Sequence, residues 1–364
     1  MRLSPTFLAY FGLQFLAGIG LALLVLSALV FVIDLVELLR RASGRESAGI
    51  DVVFAMAALR LPFLVQKVMP FATLFGAMYA LLKLTRTQEL VVARAAGVSV
   101  WQFLMPGLLI AAVAGIFTVG AFNPIASVMM ARYEQLEARY LEGRPSLLAV
   151  SSSGLWLRQA DERGQSVLHA DAVSAEGTEL DRVTVYLYEG ADRFLRRLDA
   201  TAARLDAGFW ELKDVLVTNL DGSVDRSARL VLPTSMTPTQ IQESFASPET
   251  MSFWALPAFI GMLEDAGFTA RRHRLHWHSL LATPLLLCAM LLIAATFTLR
   301  LTRSGGVGTL ASGGVLAGFV LFFLSDLVLA LGLSSAIPVA LAAWTPAGVC
   351  SLLGIAMLMH LEDG

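Results

Sequence analysis

The stretch FLAYFGLQFLAGIGLALLVLSALVFVI, from Phe7 to Ile33, decides the class of this protein. It contains no charged residue and is longer than the roughly 20 residues that a helix needs to cross a bilayer. It is also too long for the apolar core of a signal peptide, so we expect it to remain as an anchor. Of all 364 residues, 56% are hydrophobic and only 15% are charged. Because soluble domains are about one quarter charged, the sequence predicts an integral membrane protein.

Further apolar runs predict five more spans. They lie at about 52–82, within 95–131, and at 275–299, 309–330 and 337–359. The third run is longer than one span, and we expect it to leave the membrane in a turn at Asn123-Pro124. Most charged residues fall between Arg132 and Arg274, so a polar insert divides the spans into three and three.

Positive charges in the short loops indicate the orientation. One side carries Arg2, Lys83, Arg86, Arg94, Arg300 and Arg303, and the short loop on the other side carries Arg40, Arg41 and Arg45. Since Lys and Arg prefer the cytoplasm, both termini are predicted to be cytoplasmic. The polar insert is then expected outside the cytoplasm, which in a bacterial inner membrane means the periplasm.

The insert has the pattern of a β domain. Short segments rich in β-branched and aromatic residues alternate with Gly, Asp and Asn, which is typical of an antiparallel sandwich or jellyroll. These segments are 153–158, 166–169, 183–188, 208–213, 215–218 and 228–232. We therefore predict a helical membrane protein of six spans with an inserted periplasmic β-jellyroll at 142–250, between membrane parts at 1–141 and 251–364. A short amphipathic helix, about 255–265 and stopped by Gly267, is expected to lead back to the membrane.

Composition and motifs exclude several functions. A P-loop places a lysine directly after a glycine, and none of the three lysines follows one, so this chain is not expected to be an ATPase. A net charge of −2 argues against a nucleic-acid partner. No group of nucleophile, base and orienting acid suggests an enzyme. We predict no catalytic, cofactor or metal site in this chain.

A histidine cluster offers the only pattern that resembles metal ligation. His273, His276 and His278 have suitable spacing. They also lie beside Trp277 at a membrane boundary, where aromatic and basic side chains anchor a helix. We favour the anchoring interpretation.

The loop after the second span predicts a separate cytoplasmic helix at 86–96. Thr85 with Gln88 fits a capping box, and Gly97 fits a helix stop. The sequence Ser99-Val-Trp-Gln102 fits a second box that opens the third span. A capped helix at the membrane face suits docking on a partner protein. Composition leaves a second interpretation equally open, a connector that rests on the lipid headgroups.

Charged residues within or beside the spans are candidate ligands. Arg60 and Lys67 are two helical turns apart and so share a face of the second span. A charge facing lipid costs at least about 2.5 to 3.5 kcal/mol, so this face should meet protein or a water-filled cavity, where an anionic headgroup is a natural ligand. The alternative is internal pairing with Asp34 or Asp326. Weaker candidates lie at the outer rim, where snorkelling of long side chains toward the interface also explains the presence of arginine. They are Arg40, Arg41, Arg132, Arg271, Arg272 and Arg274.

These features together resemble the YjgP/YjgQ permeases, the LptF/LptG family of lipopolysaccharide export. The resemblance covers essentially the whole chain and is most specific in Gln88-Glu-Leu-Val-Val-Ala-Arg-Ala-Ala-Gly97. It extends to Phe31-Val-Ile-Asp34, Leu61-Pro62, Pro70-Phe-Ala72, Met251-Ser-Phe253 and 319–326. Gly154-Leu-Trp-Leu-Arg158 resembles the LptG branch of the family more than the LptF branch.

The resemblance implies a subunit of an ABC transporter. Such a permease extracts lipopolysaccharide from the outer leaflet of the inner membrane and passes it to a periplasmic bridge. The implied partners are an LptF-like permease in a heterodimer, an LptB-like ATPase dimer that binds ATP and Mg, an LptC-like single-span protein and an LptA-like bridge.

The resemblance also suggests roles for particular residues. Glu89 and Arg94 are expected to couple the permease to the ATPase. The first and fifth spans are expected to form the lipid gate, with Asp34 and Asp326 near their outer ends. Side chains inside the β domain are expected either to accept acyl chains or to form an ordinary core: Leu155, Leu157, Val185, Leu187, Trp210 and Leu212.

Three alternatives remain at this point. The chain could be the LptF paralogue of the same complex, or an ABC permease that transmits force without moving substrate. The force-transmitting permeases have four spans, so six spans favour the exporter. A proton-driven transporter requires inverted repeats and acids at the midplane, which the sequence does not show.

Overall fold

The computed structural model describes residues 5–43, 49–141, 155–161, 164–173, 179–189, 193–206, 208–234, 247–265, 270–301 and 307–363. Within these ranges, six helical segments are long and apolar enough to cross a membrane. A β domain is inserted between the third and the fourth of them. Both results confirm the predicted architecture.

The spans are consecutive along the chain. Spans one and two are α1 (Pro5–Ala42) and α2 (Ile50–Arg86), and span three combines α4 (Val100–Phe117), a π-helix (Thr118–Phe122) and α5 (Asn123–Tyr140). Spans four to six are α7 (Arg271–Leu301), α8 (Val307–Leu333) and α9 (Val339–Asp363). The shorter helices are α3 (Glu89–Ala95), a 3₁₀ helix (Pro248–Thr250) and α6 (Leu256–Asp265).

Spans one and two cross where each carries a glycine. A Cβ added to Gly76 would lie 2.4 Å from Cα of Ile19 and 2.7 Å from the carbonyl oxygen of Gly18. A Cβ added to Gly18 would lie 2.5 Å from the carbonyl oxygen of Gly76. In lipid, the burial of apolar surface does not drive helices together, so they associate through close packing of this kind. The crossing therefore depends on the absence of both side chains.

The predicted helix at 86–96 is shorter than expected. α2 continues to Arg86, and α3 begins only at Glu89. The capping box predicted at Thr85 and Gln88 is wrong, because the Thr85 hydroxyl donates to the Leu81 carbonyl oxygen and Gln88 precedes α3 in a left-handed conformation with no side-chain cap. A threonine one turn inside a helix bonds back to its own helix instead of starting a new one.

Two other local signals are confirmed. Gly97 ends α3 with a φ of 83°, and the amides of Gly97 and Val98 donate to the carbonyl oxygens of Arg94 and Ala93. This pair of bonds is the Schellman motif that glycine favours. At the start of α4, Ser99 and Gln102 form both bonds of the predicted capping box.

The turn predicted at Asn123-Pro124 is wrong. α4 passes through the π-helix into α5 without leaving the helical conformation, so span three extends from Val100 to Tyr140. Pro124 occupies the first turn of α5, where a proline is tolerated. The π-helix lies directly before this proline, and the helical conformation continues through both without a break.

The β domain is a six-stranded antiparallel sheet in which each strand pairs with the next along the chain. Its strands are β1 (Leu155–Asp161), β2 (Gly164–Val173), β3 (Glu179–Glu189), β4 (Arg193–Asp206), β5 (Phe209–Asn219) and β6 (Val224–Pro233). The described strands therefore form a meander. No Greek-key crossover, the connection that defines a jellyroll, joins the described strands.

Two strand predictions need correction. The segments predicted at 208–213 and 215–218 belong to one strand, β5, which Asp214 interrupts with a φ of 49°. β4 was not predicted at all, because its sequence is dense in arginine and aspartate. The small inward residues Ala200 and Ala203 give it a weak apolar pattern, although both are buried.

The segment after the β domain returns the chain to the membrane through α6. This helix confirms the predicted amphipathic segment at about 255–265. Leu256, Phe259 and Ile260 are buried on one face, where they pack with Val119 of the π-helix. The predicted stop at Gly267 lies outside the described residues.

Candidate functional site

Arg60 is paired with Asp34 inside the membrane domain. Nη1 of Arg60 donates to Oδ1 of Asp34 at 2.7 Å, which joins span two to span one. The guanidinium also lies 5.1 Å from the centre of the Tyr133 ring on α5. Asp34 is only 8% exposed, so each charge compensates the other in a region of low dielectric. This is the internal pairing that the sequence left open.

Lys67 differs from Arg60 although it is on the same helix. Its side chain is exposed in the isolated chain, and Nζ lies 4.9 Å from the centre of the Phe63 ring. Among the described residues, no carboxylate oxygen lies within ion-pair distance of Nζ. A lysine with an uncompensated charge on a membrane helix requires water or an anionic ligand. Of the two bases predicted on α2, Lys67 is therefore the one with free binding capacity.

Most of the rim arginines have partners within the chain. Arg40 pairs with Glu37 and Arg41 with Glu137, both at 2.7 Å. Ion pairs also join Arg272 to Glu249 at 3.9 Å and Arg274 to Glu264. Arg132 is exposed and has no ion pair among the residues that the structure describes. Exposed pairs of this kind contribute little to stability, so they do not prevent these arginines from binding an anion.

The three arginines at the start of α7 do not form one patch. Arg271 and Arg274, with His278 one turn further along, line an open cleft of about 540 Å³ whose other side is formed by residues 335–340. Nη1 of Arg271 donates to the carbonyl oxygen of Gly332 at 3.2 Å. Arg272 points instead toward Glu249. The spacing of 271, 274 and 278 places these three side chains on one helical face and excludes Arg272 from it.

The histidines are similarly separated. His273 packs against the Phe259 ring at 5.0 Å, and Trp277 stacks on Phe253 at 6.2 Å. Within the described ranges, no group of three His, Cys, Asp or Glu residues could hold a metal ion.

α3 presents a surface at the end of the domain where α1 begins. Leu90 and Ala93 are buried, whereas Val91, Val92 and Arg94 are exposed. One face of α3 therefore attaches it to the spans, and the other is open to a partner. Arg94 has no ion pair among the described residues.

Glu89 is engaged by the first span. The hydroxyl of Tyr10 lies beside its carboxylate. One turn along α1, Oε1 of Gln14 accepts a bond of 3.1 Å from Nζ of Lys83. Two polar contacts thus fix the end of α2 and the start of α3 against α1, a connection that the sequence did not indicate.

The acids predicted at the gate lie on separate helices. Asp34 is on α1, and Asp326 is exposed on α8 with no ion pair among the residues described. Both helices pack against α2, α8 through Gly314 and Gly318, which contact Met78 and Leu74. Whether α1 and α8 form a lipid gate stays a prediction.

The interior residues predicted in the β domain lie on its inward face. Val185, Trp210 and Leu212 are at most 1% exposed, and Leu187 packs against them. The side chains of Leu155 and Leu157 lie outside the described residues. Complete burial is what an ordinary core requires, and the acyl-chain role stays a prediction.

A set of contacts at the π-helix was not predicted from the sequence. Asn123 is buried and accepts a bond of 2.7 Å from the amide of Phe253, and the indole of Trp254 donates to the carbonyl oxygen of Gly120 at 3.0 Å. The Asn-Pro dipeptide was the available signal, and it was interpreted as a turn.

Comparison with known proteins agrees with this architecture. The family model described as "Lipopolysaccharide export system permease LptF/LptG" matches residues 9–360. The chain belongs to the LptF/LptG family. The match includes the six spans and the inserted β domain together, so the whole architecture is that of an LptF/LptG permease.

Two curated LptF/LptG relatives extend the comparison. The lipopolysaccharide export system permease protein LptG of Escherichia coli (strain K12) is 26% identical over 359 residues, which is 96% of this chain and 97% of that protein. The LptG protein of Haemophilus influenzae is 25% identical over 359 residues, with 97% and 96% coverage. Both similarities extend over nearly the full length of each protein.

Proposed function

We propose that this chain is the LptG-type permease subunit of a lipopolysaccharide exporter in a bacterial inner membrane. It takes lipopolysaccharide from the outer leaflet and passes it to a periplasmic bridge, and a separate ATPase supplies the energy. The family match over residues 9–360 carries this proposal. The membrane helices and the inserted β domain support it, because a lipid leaving the bilayer needs both a membrane path and an apolar periplasmic surface.

The proposed assembly contains several further proteins. An LptF-like permease forms a heterodimer with this chain, and an LptB-like ATPase dimer binds ATP and Mg. An LptC-like single-span protein and an LptA-like bridge receive the lipid. In this proposal both termini lie in the cytoplasm and the β domain lies in the periplasm.

Co-purification tests the assembly directly. The chain is expressed with its genomic neighbours, extracted in mild detergent, and its bound proteins and lipids are identified by mass spectrometry. We expect a second permease, an ATPase and lipopolysaccharide. Purification with an ATPase but no lipopolysaccharide would favour a force-transmitting role and contradict the proposal.

Lys67 is the proposed contact for a lipid phosphate. Its ammonium group has no ion-pair partner among the described residues, whereas Arg60 on the same helix is neutralised by Asp34. A hydrogen bond from a charged donor to a phosphate contributes about 1.5 to 3 kcal/mol. We therefore expect Lys67→Ala to weaken lipopolysaccharide capture by roughly 10- to 100-fold, and Lys67→Arg to retain most of it.

Reconstituted vesicles containing the whole complex provide the measurement. Lys213→Ala, which removes an exposed lysine from β5, is the matched control and should bind and transport lipid normally. Equal lipid binding and transport by Lys67→Ala and Lys67→Arg would place the phosphate site elsewhere.

Glu89 and Arg94 are proposed to couple the permease to the ATPase through α3. The exposed face of α3, with Val91, Val92 and Arg94, supports docking. We expect Glu89→Ala to reduce ATPase co-purification and lipid-stimulated ATP hydrolysis about tenfold, because one charge-assisted contact of about 1.5 kcal/mol is lost.

Tyr10→Phe distinguishes this role from an internal one. It removes the hydroxyl that contacts Glu89 but leaves the carboxylate available to a partner. Coupling in Tyr10→Phe should therefore exceed that in Glu89→Ala. Equal losses in both variants would assign Glu89 to packing against α1, and Thr87→Ala serves as the control in the same loop.

A further inference from the structure

Span three contains a weak point, by which we mean a position where one backbone hydrogen bond of the helix is missing. In an α-helix the carbonyl oxygen of Gly120 would accept a bond from the amide of residue 124, but residue 124 is a proline and has no amide. The π-helix Thr118–Phe122 lies directly before this position. Thr118 adds to the distortion, because its hydroxyl donates to the Ala114 carbonyl oxygen at 2.7 Å, a bond that bends helices.

The segment at 247–255, which we call the linker, supplies the hydrogen-bond donor that the span lacks. The indole of Trp254 donates to the Gly120 carbonyl oxygen at 3.0 Å, although Trp254 is 67% exposed. The amide of Phe253 donates to Oδ1 of Asn123 at 2.7 Å. Asn123 is only 3% exposed. A buried polar group in a membrane domain must be satisfied within the protein, so these two bonds hold the linker at the weak point.

Asn123 also reaches a second membrane helix. Its Nδ2 lies 3.5 Å from Oε1 of Gln66 on α2. The Phe253 ring stacks on Trp277 of α7 at 6.2 Å. The linker is therefore fixed to spans three and four within two consecutive residues, and Asn123 connects this contact to span two.

The beginning of the linker is fixed separately. Glu249 lies 3.9 Å from Arg272 and accepts a bond from the Ser247 hydroxyl. Burial opposes ionisation of this carboxyl, but the Ser247 bond and the positive charge of Arg272 keep its pKa below the ordinary value. The ionised carboxylate holds the linker end beside α7.

The span itself is clamped one turn before the π-helix. A Cβ on Gly115 would lie 2.5 Å from Cα of Pro284 on α7. Val119 of the π-helix is buried against α6, which follows the linker directly. Span three is therefore held before the π-helix by the tight contact at Gly115, and within and directly after it by the linker bonds at Gly120 and Asn123.

We propose that Asn123 and Trp254 are positioning residues for lipid transfer, and that they latch the linker to the π-helix of span three. Bending of span three then moves the linker that follows the β domain, so events in the membrane domain are passed to the periplasmic part. The proposal rests on the proposed function and deepens it. Release of the latch leaves the Gly120 carbonyl oxygen without its donor, and the docked state is favoured for that reason.

A double-mutant cycle tests the latch. Trp254→Phe removes the indole donor and keeps an aromatic ring, and Pro124→Ala supplies an amide that bonds the Gly120 carbonyl oxygen. Loss of one neutral hydrogen bond changes a local equilibrium by roughly fivefold. We expect Trp254→Phe to raise amide hydrogen exchange at 118–126 by about that factor, and to have no effect in the Pro124→Ala background. Trp344→Phe, an exposed tryptophan of α9, is the control.

Transport by the complete complex in vesicles provides the second readout. Trp254→Phe should reduce lipid delivery to the bridge roughly fivefold, with lipid binding, ATP hydrolysis and the yield of folded complex unchanged. Unchanged exchange and delivery, or effects of the two substitutions that simply add, would overturn the latch. Equal losses of folded complex and of delivery would reduce Trp254 to a structural contact and also overturn it. Failure of the wild-type complex to move lipid would instead contradict the proposed function, while the exchange data still test the latch.

Discussion

Asp34→Ala is expected to destabilise the membrane domain by about 3 kcal/mol, the lower end of the cost of breaking a buried ion pair, because it leaves the charge of the partly buried Arg60 uncompensated. The pair with Arg60 has a bond of 2.7 Å and joins spans one and two. Nε of Arg60 has no other partner among the described residues. Thermal unfolding of the purified protein in detergent or nanodiscs measures the loss.

Two companion variants give this experiment its control and its functional meaning. Glu37→Ala breaks the exposed pair with Arg40 on the same helix, and it should cost no more than about 1 kcal/mol. Asp34→Ala combined with Arg60→Met removes both charges and should restore most of the stability. If the double variant also binds lipopolysaccharide normally, Arg60 is a structural residue. If the double variant is stable but binds lipopolysaccharide weakly, Arg60 contributes to the phosphate site. Equal stability of Asp34→Ala and Glu37→Ala would contradict the buried pair.

Gly76→Ala is expected to cost about 3 kcal/mol or more, at the upper end of what overpacking usually costs. The added Cβ would lie 2.4 Å from Cα of Ile19 and 2.6 Å from its nitrogen. Both are backbone atoms and cannot rotate away, so spans one and two must separate. We expect a low yield of folded protein and a lower unfolding temperature.

Gly20→Ala is the matched control for this substitution. It is on the same pair of helices, and a Cβ there would meet no atom within 4 Å. Because alanine is favoured over glycine inside a helix by about 0.5 to 1 kcal/mol, Gly20→Ala should be neutral or slightly stabilising. If Gly76→Ala were as stable as Gly20→Ala, the close crossing at Gly18 and Gly76 would be wrong.

Signals that act within a few residues were predicted well. The hydropathy of Phe7–Ile33 required a membrane helix whatever surrounds it, because each buried backbone group must be paired inside its own segment. The capping box at Ser99 and Gln102 and the left-handed Gly97 were confirmed for the same reason, since their bonds close within one turn. Thr85 shows the limit of such local patterns. Its hydroxyl could accept a bond from the amide of Gln88 or donate one to the carbonyl oxygen of Leu81, and the sequence does not rank these two bonds.

The sequence by itself determined the class of this protein, its six spans, the inserted β domain and the family to which it belongs. The tertiary structure alone decided which charges and which backbone groups are paired. Arg60 could have met a lipid phosphate or an acid, and the packing of α1 on α2 placed Asp34 beside it. The Asn123-Pro124 dipeptide was compatible with a turn, but Trp254 and Phe253, more than a hundred residues away, satisfied the helix instead. Periodicity and capping depend on neighbours within a few positions, whereas these bonds depend on which distant segments the whole fold brings into contact.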